Sequence, residues 1–113
     1  MHELGITRSI VEIAEENARR QGAQRVLSVT IEIGDLAGVI PDSVAFCYEV
    51  CCEGTLLAGS ELLIRQVKGK GRCRDCGADI DLDTTTFNCS TCGSYALERL
   101  QGEELRVIEM EIE

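Results

Sequence analysis

Tryptophan is absent from the 113 residues, aromatics make up only 4% of the chain, and histidine occurs once, as His2. A core here must be built from Leu, Ile, Val and Ala, which the 44% hydrophobic content can supply. No stretch approaches the roughly 18 apolar residues of a membrane span. The amino terminus has no signal-peptide pattern either, so the expectation is a soluble, cytoplasmic protein. Basic residues are scarce, 11 against 20 acidic, for a formal charge of −9. A phosphate-neutralising footprint is therefore missing, and neither nucleic acid nor an anionic membrane is an expected partner. There is no Gly-x-x-x-x-Gly-Lys phosphate loop and no Ser/His/Asp set, so catalysis is not expected.

What the chain does have is seven cysteines. In a reducing compartment that number points to metal ligation or thiol chemistry rather than a disulfide framework. Cys73-Arg-Asp-Cys76 and Cys89-Ser-Thr-Cys92 form two Cys-x-x-Cys pairs separated by 12 residues. A two-residue spacing lets both sulfurs of a tight turn face one ion. Two such turns make a tetrahedral sulfur cage. Gly77 and Gly93 follow each pair where positive φ is often needed. Four thiolates close the coordination sphere, so a structural zinc is expected, with no position left for an activated water. Iron in the same cage and a redox dithiol are the alternatives.

The remainder reads as alternating helix and strand. Leu4, Ile6, Ile10, Ile13, Ala14 and Ala18 recur near helical spacing up to Gly22. Residues 25–34 alternate as a half-buried strand, with Leu27, Val29, Ile31 and Ile33 on one face. Pro41 suits the first turn of a second helix, which Asp42 or Ser43 can cap and Gly54 closes. A short strand covers 61–67, with Leu62 and Ile64 inward, or Leu63 if the register slips. The segment Lys68-Gly69-Lys70-Gly71 reads as a solvated linker. A last strand over 104–113 sets Ile108, Met110 and Ile112 against Glu109, Glu111 and Glu113. The fold expected is α+β: two helices packed on a small, about three-stranded sheet, with an inserted zinc-ribbon-like module. One domain would take residues 1–67 plus 103–113, and the module 68–102, with Ile80, Leu82, Phe87, Tyr95 and Leu97 as its apolar bulk.

The chain begins Met1-His2-Glu3. Removal of an initiator Met normally needs a small second residue, so Met1 should remain. The free α-amine, the His2 amide nitrogen and the His2 imidazole Nδ1 then lie on one short stretch of backbone. They close a five- and a six-membered chelate, with a further donor available from Glu3. Planar nitrogen donors suit Ni(II) or Cu(II) better than zinc. The competing reading is a frayed terminus carrying a surface histidine.

Met1-His2-Glu3 running into an amphipathic helix, the segment IEIGDLAGVIPDSVAF (31–46), and the two cysteine pairs before a short final strand together resemble the HypA/HybF family over essentially the full chain. The resemblance implies a nickel metallochaperone for maturation of the nickel–iron hydrogenase large-subunit precursor. It implies a HypB-type GTPase as partner and, in some organisms, service to urease maturation. The family's nickel site maps onto Met1, His2 and Glu3. Its structural zinc ligands map onto Cys73, Cys76, Cys89 and Cys92. Some members carry a histidine beside the zinc cysteines, and this chain has none there.

The other candidates have plainer readings. Cys47 and Cys51, four apart on one helical face, read as small apolar packing groups. Cys52 is expected on a more exposed side. Glu109, Glu111 and Glu113 read as the solvated face of an edge strand. Asp35 and Asp42 read as turn or cap residues, or as an auxiliary nickel oxygen if their loop lies near the terminus. Lys68, Lys70, Arg72 and Arg74 form the one basic cluster, which leaves a zinc-ribbon module binding RNA or protein as the alternative function. A jointed chain of this kind could also swap strands into a homodimer.

Overall fold

A computed structural model describes residues 2–113, with side chains from Glu3 onward. In chain order the elements are α1 (His2–Arg20), β1 (Val26–Gly34), α2 (Pro41–Cys52), β2 (Glu61–Val67), β3 (Gly69–Cys73), β4 (Asp79–Leu82), β5 (Leu97–Gln101) and β6 (Leu105–Ile112). The strands form two three-stranded sheets, ordered β2-β1-β6 and β4-β3-β5. Packing divides the chain into two compact units. The first gathers residues up to Glu32, Val39–Arg65 and Arg106–Glu113; the second takes Ile33–Gly38 and Gln66–Leu105. The expected α+β class, with two helices, a small sheet and a cysteine module inserted before the last strand, is what the chain adopts.

In the first unit α1 buries Thr7, Ile10, Val11, Ala14 and Ala18. Ile13, expected on that stripe, is instead 53% exposed, and Val11 takes the inward place. A helical stripe is wide enough to admit either residue, and in the folded chain it is Val11 that is turned inward. α2 starts at Pro41, whose missing N–H costs nothing in a first turn. The expected cap from Asp42 or Ser43 does not form; Ile40 holds the cap position with no side-chain hydrogen bond. α2 buries Val44, Cys47, Tyr48 and Cys52. The Tyr48 hydroxyl and Ser60 Oγ lie 2.6 Å apart, tying the helix to the loop before β2.

In the second unit the Lys68–Gly71 segment is no linker. Gly69–Cys73 is the central strand, with antiparallel neighbours on both sides. Glycine permits this because the neighbours come too close for a side chain: a Cβ on Gly71 would sit 2.7 Å from the Glu98 carbonyl oxygen. Lys70 and Arg72 point outward and pair with Asp81 and Asp79 of β4. Residues 33–38 join this unit through the Leu36 amide, which donates to the Gly102 carbonyl at 2.7 Å, and the Asp35 amide, which donates to the Val67 carbonyl at 2.9 Å.

Candidate metal centres

Each cysteine pair folds into the same turn. The Gly77 amide donates to the Cys73 carbonyl and the Gly93 amide to the Cys89 carbonyl, both at 2.8 Å. Gly77 and Gly93 have φ of +76° and +78°, the left-handed conformation that closes each turn. The Cys73 amide donates to the Ala78 carbonyl at 3.0 Å and the Cys89 amide to the Ser94 carbonyl at 2.7 Å, which seats each pair on its own hairpin. The Ser94 hydroxyl reaches across to the Asp75 carboxylate, joining the two turns.

The four sulfurs converge. Cys73 Sγ lies 3.5 Å from Cys92 Sγ, and Cys76 Sγ lies 3.7 Å from Cys89 Sγ. All four fall within 4.8 Å of one another. A tetrahedron with zinc–sulfur bonds of about 2.3 Å has edges of about 3.8 Å, so the cage fits that ion. Cys73 and Cys89 are buried and Cys76 and Cys92 exposed, so the site is anchored on one side and open on the other. A small apolar cluster of Ile80 and Leu82 backs the buried pair, with Leu36, Ala78 and Leu97 packed against it. Phe87 and Tyr95, expected in that cluster, are 73% and 81% exposed. Once a metal crosslinks the turns, little further bulk is required, and Leu36 arrives from outside the module instead.

Backbone amides set the acidity of the thiols. Amide N–H groups of Cys92 and Thr91 point at Cys89 and hold its thiol down to about 6. Those of Cys76 and Asp75 lower Cys73 in the same way. At Cys92 the Ser94 amide pulls down, but the neighbouring sulfurs and burial outweigh it and push the thiol up to about 12. At Cys76 the Ala78 amide is likewise outweighed, by burial and the Cys89 sulfur. Two easily ionised thiols and two reluctant ones form a set that becomes fully anionic only around a dication. The bound zinc would supply a structural crosslink and nothing further; the four sulfurs leave it no open position. These positioning amides and the Asp75–Ser94 link were not singled out in the sequence, since any residue type can offer an amide.

The amino-terminal candidates are less completely placed. Met1 and the His2 side chain lie outside the described residues. α1 begins at His2, and Glu3 stands in its first turn. The Glu3 carbonyl accepts the Thr7 hydroxyl at 2.5 Å. The first amides of a helix have no intrahelical acceptor, so those of His2 and Glu3 are not committed to the helix ladder. Glu3 lines a concavity of about 340 Å³ together with Asp42, Ser43, Phe46 and Cys47. Asp42 thus stands near Glu3, whereas Asp35 belongs to the second unit.

Among the other cysteines, Cys47 is buried as expected and Cys51 is half-buried. Cys52, expected outward, is 2% exposed. It sits within reach of Tyr48 and Ser60, and burial raises its thiol. The loop after α2 folds back over this side, which helix periodicity could not foresee. Glu109 and Glu111 are exposed on β6, an edge strand, as expected. Among the described residues, the four paired cysteines are the one metal-competent cluster, and no helix is long and apolar enough to cross a membrane.

Comparison with known proteins agrees along the whole chain. Residues 1–112 match the family model described as hydrogenase/urease nickel incorporation, metallochaperone, hypA. The chain is 49% identical to the hydrogenase maturation factor HypA of Geobacter metallireducens and 50% identical to that of Geotalea uraniireducens, covering all of both chains in each case. Its fold is similar to the solution structure of the nickel metallochaperone HypA from Helicobacter pylori, with a TM-score of 0.68 at 23% identity over 97% of this chain and 96% of that one.

Proposed function

The chain belongs to the HypA family of hydrogenase/urease nickel-incorporation metallochaperones, and on that premise we propose that it carries Ni(II) on Met1, His2 and Glu3 and hands it to the large-subunit precursor of a nickel–iron hydrogenase. The family brings nickel as cargo and zinc as a resident structural ion, and the four-cysteine cluster fits the zinc. The observation that carries the nickel assignment is where α1 starts. Its first residue is His2, so the donor amides are the ones that a helix leaves without acceptors. Losing an amide proton to the metal therefore breaks no helix hydrogen bond. The imidazole of the chain's one histidine follows on the same backbone, and the Asp42 carboxylate beside Glu3 offers an auxiliary oxygen.

A terminal chelate is exposed, so its donors can be exchanged one at a time into a partner's site. A four-sulfur cage would hold the ion too long. The two roles therefore divide: residues 1–67 with 103–113 carry nickel, and the module at 68–102 holds its shape around zinc. The chain has no phosphate-binding loop, so a HypB-type GTPase supplies any nucleotide-driven step, and urease maturation proteins are further candidates for delivery. The setting is cytoplasmic, where hydrogenase precursors are folded. The chain itself catalyses nothing.

The test is a nickel titration of the protein with its native amino terminus, of His2→Ala, and of a form with one residue added before Met1. Loss of tight binding in both altered forms is expected. The extended form keeps the imidazole but moves the amine, so equal affinity there would remove the terminal chelate.

A further inference from the structure

The start of α1 is weakly held by its own sequence. From Glu3 to Ile6 every residue is half-buried or exposed. Gly5 stands in this stretch with open space where a side chain would be, and glycine is, after proline, the poorest helix former. The helix begins at His2. The residue ahead of it in the sequence is Met1, a residue type with no side-chain oxygen to accept an orphan amide proton. A terminal turn of that composition frays unless something outside its own ladder holds it.

Thr7 supplies that hold. Among the described residues it is the first in the chain to be completely buried, at 0% exposed. It lies in line with Val11, Ala14 and Ala18, all 2% exposed or less, on the stripe that faces the core. Its hydroxyl donates to the Glu3 carbonyl at 2.5 Å, four residues back. On a wet helix surface such a bond gains little, because the hydroxyl and carbonyl both have water as an alternative. In the core the Thr7 hydroxyl has no such alternative, and breaking the bond strands a buried donor. The Glu3 carbonyl therefore cannot swing outward freely, and the first turn is fastened to the core through one side-chain oxygen.

What is fastened there is the nickel-binding backbone. Only Cα separates the Glu3 amide nitrogen from the gripped carbonyl, and the His2 amide and imidazole precede it on the same chain. These are donors of the terminal chelate proposed above, on which this inference rests. Each conformer of a frayed turn spreads those donors apart. Apparent affinity then falls with the fraction of time the turn is competent to bind. We propose that Thr7 is a positioning residue for the nickel chelate: its buried hydroxyl holds the first turn of α1 in the form that presents the His2 and Glu3 donors together. Thr7 is not itself a ligand.

Two substitutions divide the hydroxyl from the packing. Thr7→Val keeps the shape and loses the hydroxyl; Thr7→Ser keeps the hydroxyl and loses the methyl group. Nickel is loaded onto the full zinc-loaded chain with its native amino terminus, and its release is followed by capture in a chromophoric chelator. Release from Thr7→Val should be about 5-fold faster than from the unaltered protein, as expected for the loss of one hydrogen bond. Thr7→Ser should release at the unaltered rate, although its smaller side chain lowers the melting temperature. Without nickel, hydrogen exchange at the Ile6 amide, whose helical acceptor is the His2 carbonyl, should quicken in Thr7→Val and not in Thr7→Ser. Release from Thr7→Val at the unaltered rate overturns the proposal. So do release rates that follow melting temperature instead of the hydroxyl. In both of those cases, loss of tight binding in a parallel titration of His2→Ala leaves the terminal chelate standing. Tight binding retained in His2→Ala overturns the chelate itself, and the role of Thr7 with it.

Discussion

Cys73 and Cys92, the first and last ligands of the metal cluster, face each other with their sulfurs 3.5 Å apart, while the inner two, Cys76 and Cys89, stand 3.7 Å apart. Both of these contacts run between the two turns. A metal bound there therefore ties residue 73 to residue 92 and closes the module, and the small apolar cluster behind it need only fill space.

Removing one ligand should open that closure. Cys73→Ser is expected to lower zinc affinity by more than about 100-fold, and Cys92→Ser by a similar factor. Zinc retention against a graded chelator measures both. Ser94→Ala, which loses the bridge to Asp75 while keeping all four sulfurs, should cost about 10-fold. If Ser94→Ala were as damaging as a ligand change, the hydroxyl would be doing more than joining the turns.

Glycine at position 71 is needed for packing rather than for a turn. A methyl group there would lie 2.7 Å from the Glu98 carbonyl oxygen, inside the sheet. Gly71→Ala is expected to destabilise the second unit by about 1–3 kcal/mol. Gly5→Ala, where a Cβ meets open space in α1, should stabilise by about 0.5–1 kcal/mol. Thermal unfolding of the two variants gives opposite signs if the strand reading is right.

Alkaline pH should loosen the first unit. Burial raises the Tyr48 phenol well above its usual range despite the Ser60 hydrogen bond, and burial also raises the Cys52 thiol. A group whose folded pKa is raised holds its proton where the unfolded chain has lost it. Its contribution is complete below the unfolded value, near 8.5 for a thiol and about 10 for a phenol, and is lost as pH rises above that. Melting temperature should therefore fall from about pH 9 upward. Cys52→Ala should flatten the first part of the decline, and a profile unchanged in that variant would clear the thiol. Tyr48→Phe should flatten the later part, while costing about 0.5–1.5 kcal/mol at neutral pH for the lost hydrogen bond.

Nickel retention should fail toward acid. The imidazole must be neutral to bind, so affinity should drop as pH falls through about 6.5. Isothermal titration between pH 5.5 and pH 8, run alongside His2→Ala, separates this from loss at the cysteines. A variant that keeps the same pH dependence would place the titrating group elsewhere.

Several of these features were legible before any fold was known. The strand over 25–34 and Pro41 at a helix start read correctly because each is a local rule, period two for a strand and a missing donor for a first turn, although Leu27, expected on the buried face, is exposed and Thr30, expected on the polar face, is buried. Lys68–Gly71 misread as a linker because its glycines look like flexibility. Their use appears only when a strand lies on either side. Phe87 and Tyr95 misread as core because size alone predicts burial, whereas a metal-closed module does not need it. Cys52 misread as exposed because helix geometry does not show which loop returns over it.

The order and chemistry of the donors belong to the chain itself. Two Cys-x-x-Cys pairs, a lone histidine at position 2 and the succession of helices and strands follow from covalent spacing and residue type. Tertiary structure decided that the four sulfurs converge, which thiols the amides make acidic, and that Cys52 is covered. Those outcomes depend on strand register and on groups distant in sequence, and a periodic pattern records the existence of an apolar face without recording what it meets.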